Sequence, residues 1–192
     1  GVDCLIDDES ISIGHGEASM QWSINDLPAA DQVNWNEVHN VPVALVTGTN
    51  GKSTCVRILD QVARDAGFLS GVTSTDFVRV GDDVLDLGDY SGPSGARLLL
   101  RDKRLQVAFL EVARGGILRR GLPLRRAKAA LITNVSPDHL GQYGVNTLEA
   151  LIDTKFSVIK ALTDESTLVV NADDKGSVDY MSRHPRNLVC WF

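Results

Sequence analysis

The stretch VALVTGTNGKSTCVRILD, residues 43–60, decides the fold class. Val43 to Val46 is a short apolar, largely β-branched run, and from Cys55 onward Cys55, Ile58, Leu59, Val62 and Ala66 recur at helical spacing until Gly67 supplies a stop. Gly48 and Gly51 therefore sit at a strand-to-helix turn. Glycine lets the backbone approach a ligand there, the free amides point one way, and the helix N-terminus adds partial positive charge. Such a turn is a phosphate cradle, in which Lys52 would reach the terminal phosphates and Ser53 or Thr54 would place a hydroxyl on Mg²⁺. The loop is shorter than the general Gly-x-x-x-x-Gly-Lys-[Ser/Thr] pattern, whose first glycine would fall at Val46.

The remainder of the chain suits that turn. Its 192 residues, 43% hydrophobic and 23% charged, can bury one ordinary core plus a modest extension. A net charge of -6 argues against a dedicated nucleic-acid or anionic-membrane surface. Cys4, Cys55 and Cys190 are odd in number and fit no Cys-x-x-Cys spacing, which favours a reducing compartment. No apolar run approaches the ~20 residues that span a bilayer. The expectation is a cytoplasmic protein without nucleic-acid or membrane partners. Because it starts at Gly1 and stops at LVCWF, the chain also reads as an excised piece of a longer protein.

Residues 1–40 carry the alternating patterns SISIGHG and SMQWSI and then a polar stretch, read as a small β-hairpin and linker. Residues 41–192 form the main domain. Strand-like runs at Val43–Val46, Leu69–Thr73, Val107–Leu110, Ala129–Ile132, Leu168–Val170 and Leu188–Trp191 alternate with helical patterns, which predicts a mostly parallel sheet flanked by helices. FVRVGDDVLDLG, residues 77–88, reads as an inserted hairpin.

In such sheets ligands sit beyond the carboxyl ends of the strands, so the residues that follow each run carry the chemistry. Glu111 ends one run and suits Mg²⁺, which takes one or two carboxylates with phosphate oxygens and water; a helix cap or an ion pair to Arg114 would use it equally. Asn134 ends another run, and Asp138-His139 follows it; His139 is a candidate ligand or a structural histidine. Asn171 ends a third, just before Asp173 and Asp174. Wound as a helix over 147–162 with Thr147 as cap, Leu148, Leu151, Ile152, Phe156, Ile159 and Leu162 form one stripe with Lys155 in its middle, while Lys160 lies off it. An inward lysine must be paired, neutral or modified, unless its stem snorkels to a wet head. Arg114, Arg119, Arg120, Arg125 and Arg126 form a basic group that would face solvent, offset phosphate charge or grip an acidic substrate.

Together VTGTNGKS, LEVARGGILRRGL, TNVSPDHLG, the inward TK and VVNADD resemble the ATP-binding central domain of the Mur ligase family, a P-loop NTPase-like fold. Within the family they are similar to the branch containing the ligase half of cyanophycin synthetases. The resemblance covers about residues 41–192. It implies a ligase that phosphorylates an acid with ATP and lets an amine attack the acyl phosphate, with small-molecule or peptide acids and amino acids as substrates. It further implies that Gly48, Thr49, Asn50, Gly51 and Lys52 hold the phosphates and that Ser53 and Glu111 hold a first Mg²⁺. His139 would touch a magnesium near the γ-phosphate, Lys155 would carry a carbamate that binds magnesium, and Asn134 and Asn171 would lie near the adenine. ARGG stands where the peptidoglycan ligases usually carry a Ser-Ser pair, which makes wall-precursor synthesis the less favoured branch. The family's C-terminal domain would begin after Phe192, so the isolated chain is expected not to complete a cycle.

Two other classes use part of the same pattern. A P-loop kinase or simple NTPase would need the loop and Glu111 but neither Lys155 nor His139. A nucleotide-binding module without chemistry would need the loop alone.

Overall fold

The computed structural model describes residues 1–138 and 140–192, so the expectations for His139 lie outside the described residues. Three short strands come first, β1 (Cys4–Ile6), β2 (Ser10–Ile13) and β3 (Met20–Ser23). There follow β4 (Val43–Thr47), α1 (Lys52–Asp65), β5 (Ser70–Thr73), β6 (Phe77–Val80), β7 (Asp83–Leu87) and α2 (Pro93–Leu100). The last third holds β8 (Val107–Glu111), α3 (Arg114–Arg120), β9 (Ala127–Ile132), α4 (Leu148–Phe156), β10 (Leu162–Val170), α5 (Lys175–Arg183) and β11 (Val189–Trp191).

The strands from β4 onward form one sheet in the order β11-β10-β9-β4-β8-β5-β6-β7. All pairings from β11 to β5 are parallel, and the β6–β7 hairpin adds antiparallel to β5. Each of the six expected runs is a strand of this sheet. Alternate residues of the central strands face two cores: Val46, Val72 and Phe109 meet Val56 of α1 on one side, while Leu45, Ala108 and Leu110 join Leu99, Leu151 and Phe156 on the other. Covering both faces explains why these strands read as continuous apolar runs rather than alternating ones.

The helix α1 forms as its spacing predicts, and packing decides its inward face, while α4 departs from its expected bounds. In α1, Ile58 and Val62 are 58% and 60% exposed, and the inward face is Val56 and Asp60 with Leu59 and Ala63 half-buried. Asp60 is tolerated inside because Ser70 Oγ donates to it at 2.6 Å and Arg79 pairs with it. The helix expected over 147–162 ends at Phe156; residues 157–161 tighten into a 3₁₀ turn and Leu162 already opens β10. Thr147 is the cap, its hydroxyl accepting from the Ala150 amide at 3.2 Å.

The expected N-terminal hairpin is β2 and β3, two strands of a three-stranded antiparallel sheet, β1-β2-β3. Arg101, just past α2, fastens it: the guanidinium pairs with Asp7 and donates to Ser12 Oγ at 3.0 Å and to the Leu5 carbonyl at 3.3 Å. No described helix is long and apolar enough to cross a membrane.

Candidate functional site

Between β4 and α1 the chain turns as Gly48-Thr49-Asn50-Gly51, with Gly51 in the left-handed region at φ 83°. Gly48 is needed for a different reason. A Cβ there would stand 1.9 Å from Thr133 Oγ1, so only glycine admits the strand-end hydroxyl beneath the loop. The helix bonds start with Cys55 N–H donating to the Gly51 carbonyl at 2.9 Å, which leaves the amides of Lys52, Ser53 and Thr54 without helical acceptors. This is the strand-to-helix turn the sequence predicts, with its first-turn amides free. Lys52 lies folded over it, its Nζ donating to the Thr49 carbonyl at 3.1 Å and standing 4.0 Å from Glu111 Oε1.

Parallel pairing puts Glu111 beside Val46, two residues before the turn that begins at Gly48. Its side chain is buried, and neither carboxylate oxygen has a hydrogen-bond partner. The bland readings, a cap or an ion pair with Arg114, leave such oxygens satisfied; here they are not. A buried carboxylate with no hydrogen bond and only the Lys52 ammonium 4.0 Å away is costly, and a divalent cation held with the Ser53 hydroxyl is the kind of group that would relieve it. Among the described residues no group of three His, Cys, Asp or Glu forms a ready-made metal cage, so a cation here would also draw on phosphate oxygens and water.

Lys155 is 3% exposed and reaches the loop from α4, its Nζ donating to the Gly48 carbonyl at 2.7 Å. Burial, reinforced by the positive charge of Lys52, pushes its pKa down to about 8. Lys160 is exposed, as the stripe predicted. The tertiary structure thus brings Lys52, Glu111 and Lys155 to one cradle from α1, β8 and α4.

Asn134 spends its carboxamide on the loop itself. Its Oδ1 accepts from the Asn50 amide and its Nδ2 donates to the Asn50 carbonyl, both at 3.2 Å. Asn171 donates from Nδ2 to the Thr133 carbonyl at 3.0 Å, and Asp174 caps α5 by accepting from the Ser177 amide at 3.2 Å. Thr133, which the sequence reading did not single out, donates from Oγ1 to the Asn50 carbonyl at 2.6 Å. A threonine before the strand-end asparagine was the only available signal, and nothing local shows that its hydroxyl meets residue 50.

A cleft of about 320 Å³ opens from Gly48, Lys52 and Lys155 toward Ser91, Gly116 and Arg119. The five-arginine group divides: Arg114 and Arg119 line this cleft, Arg120 a neighbouring hollow, and Arg126 a separate one near Gly1. Arg125 lies near that last hollow, its amide donating to Asp3 at 3.1 Å.

Comparison with known proteins agrees with this geometry. Residues 46–190 match the Mur ligase middle domain. The chain is 40% identical over 157 residues to a cyanophycin synthetase of Crocosphaera subtropica, an alignment covering 77% of this chain and 18% of that protein. It is 26% identical over 149 residues to a UDP-N-acetylmuramoylalanine--D-glutamate ligase of Christiangramia forsetii, covering 76% of this chain and 28% of that one. In fold it resembles a bifunctional folylpolyglutamate synthase/dihydrofolate synthase solved with Mn, AMPPNP and L-glutamate bound, with TM-score 0.58, 22% identity, and coverage of 78% of this chain and 43% of the other. The chain therefore spans less than half the length of these proteins.

Proposed function

The chain belongs to the Mur ligase family through its middle domain, and on that footing we propose that it is the ATP-binding core of an ATP-dependent acid–amine ligase. The observation that carries the reading is Lys155, buried to 3% and hydrogen-bonded to the phosphate loop at 2.7 Å. A kinase or simple NTPase has no use for a lysine held there at the expense of its hydration.

The residues fall into roles. The first-turn amides and Lys52 would bind the β- and γ-phosphates of ATP. The γ-phosphoryl group then passes to the carboxylate of the acid, giving an acyl phosphate and ADP, and attack by an amine forms the amide and expels phosphate. Lys52 would offset charge on the transferred oxygens throughout. Ser53 and Glu111 would hold Mg²⁺, with His139 as a further ligand; when bound, Mg²⁺ neutralises phosphate charge. Asn134 and Asn171 would bound the nucleotide on the β9–β10 side.

We further propose that Lys155 is carbamylated in the working enzyme. The reaction joins the neutral amine to CO₂ and releases one proton, and a pKa of about 8 leaves about a tenth of the amine neutral at pH 7. The carbamate is an anion suited to magnesium, and its nitrogen keeps one N–H for Gly48. A ¹³C carbamate resonance after incubation with labelled bicarbonate, absent from Lys155→Arg, is the expected result; no such resonance at pH 8 would remove the modification.

The acid and the amine belong to the whole protein, as small-molecule or peptide acids and amino acids. We place the activity in the cytoplasm, with no nucleic acid or membrane involved. The chain alone should bind nucleotide without forming amide. Calorimetric titration with AMPPNP and Mg²⁺ tests the core of the reading: wild type should bind, Lys52→Ala should not, and equal binding by both would overturn the cradle.

A further inference from the structure

Three successive carbonyls of the phosphate loop are each held by a side chain. Lys155 holds that of Gly48 at 2.7 Å and Lys52 that of Thr49 at 3.1 Å. The third, Asn50, accepts from both Thr133 Oγ1 at 2.6 Å and Asn134 Nδ2 at 3.2 Å. The loop amides are equally spoken for at first: Thr49 donates to the Asn134 carbonyl at 2.8 Å and Asn50 to Asn134 Oδ1 at 3.2 Å. Ligand-facing amides therefore begin at Gly51.

We infer that Thr133 and Asn134 are positioning residues for the nucleotide phosphates, acting through the Asn50–Gly51 peptide. The inference rests on the reading above that phosphate binds this loop. A trans peptide is planar, so its C=O and N–H point in opposite directions. Anchoring the Asn50 carbonyl down onto the end of β9 turns the Gly51 N–H outward, in line with the free amides of Lys52, Ser53 and Thr54. Gly51 accepts the resulting left-handed φ of 83° without a Cβ penalty. Were the Asn50 carbonyl released, the peptide could flip and present an oxygen to an anion.

The clamp is itself braced. Asn171 Nδ2 donates to the Thr133 carbonyl at 3.0 Å, and the Val135 amide donates to Asp174 Oδ2 at 3.2 Å. Thr49 Oγ1 donates to the Ser136 carbonyl and accepts from the Ser136 amide, both at 3.1 Å. The ends of β9 and β10 thereby fix the conformation of a loop that lies after β4.

The test crosses two substitutions at one position. Thr133→Val keeps the shape and removes the hydroxyl; Thr133→Ser keeps the hydroxyl and removes the methyl. Titrated with AMPPNP and Mg²⁺, Thr133→Val should bind on the order of tenfold to a hundredfold more weakly than wild type, and Thr133→Ser within about threefold of it. The Gly51 amide resonance should shift on nucleotide addition in wild type and Thr133→Ser but not in Thr133→Val. Asn134→Ala, at a half-exposed position, should melt like wild type and lose the Gly51 amide shift even at saturating nucleotide, a loss that direct contact with the nucleotide would not produce, and that shift carries the test if Thr133→Val melts early. Wild-type affinity in Thr133→Val, or equal losses in Val and Ser, would overturn the inference while leaving the nucleotide site standing. Absence of binding by wild type itself would remove the nucleotide site and the inference together.

Discussion

Lys155 Nζ and the Gly48 carbonyl meet at 2.7 Å across 107 residues of chain. That bond joins α4 to the Gly48–Gly51 loop and places a buried cation next to Lys52. The cost of burial is visible in the lysine's pKa, down from 10.5 to about 8.

This cost gives stability a pH dependence of known sign. Between pH about 8 and 10.5 the unfolded chain binds a proton at residue 155 that the folded chain lacks, so stability rises with pH across that window. The contribution is at most about 3 kcal/mol. Urea midpoints measured from pH 7.5 to 10.5 should climb more steeply in wild type than in Lys155→Met. Parallel profiles would show that Lys155 titrates normally.

Glu111 is a second group whose burial is costly. Its two buried oxygens lack hydrogen-bond partners and have only the Lys52 ammonium 4.0 Å away, so Glu111→Gln should raise the melting temperature of the ligand-free chain, by about 1 kcal/mol or more in stability. The same variant should lose the additional stabilisation that Mg²⁺ brings to the nucleotide complex. A ligand-free melt that falls instead, with the Mg²⁺ effect retained, would assign Glu111 a purely structural role.

Gly116 is where the backbone of α3 meets the approach to α2. A Cβ there would stand 3.0 Å from the Ser91 carbonyl and 3.2 Å from Gly92 Cα, both backbone atoms that cannot swing aside. Gly116→Ser should cost about 1–3 kcal/mol and reshape the cleft. Thermal melts together with nucleotide titration would separate the two effects; a variant as stable as wild type would mean that the contact has slack.

Arg101 is the fastening of the N-terminal sheet, reaching Asp7, Ser12 and the Leu5 carbonyl. Arg101→Ala should destabilise that sheet by about 2–4 kcal/mol and expose residues 1–40 to protease while the large sheet survives. Cooperative loss of the whole chain under limited proteolysis would argue that residues 1–40 and 41–192 are one unit.

The readings that held are those with local causes. The strand-to-helix turn was legible because strand, glycine turn and helix start are encoded within eighteen residues, 43–60. The place of Glu111 at a strand end was legible because it closes an apolar run, and the inward face of Lys155 because α4 keeps its register from Thr147 to Phe156. What the sequence left open, and the expected extent of α4 that did not hold, needed knowledge of a partner. Around α1 apolar residues lie on two adjacent faces, and packing against β5 and β8 selected Val56 and Asp60 over Ile58 and Val62. No glycine or proline marks the end of α4; the return of the chain into β10 tightens it.

The sequence by itself determined that this chain builds a mostly parallel sheet with a glycine-bearing strand-to-helix turn after the sheet's first strand, since propensity, periodicity and glycine placement act over short distances. Only the tertiary structure decided which side chains serve that loop. Strand order sets β4 between β8 and β9, and this brings Glu111, Thr133 and Asn134 to its rim. Hydrogen bonds between residues 84 apart, such as those joining Asn50 to Asn134, depend on which strands are neighbours, and no local pattern encodes that.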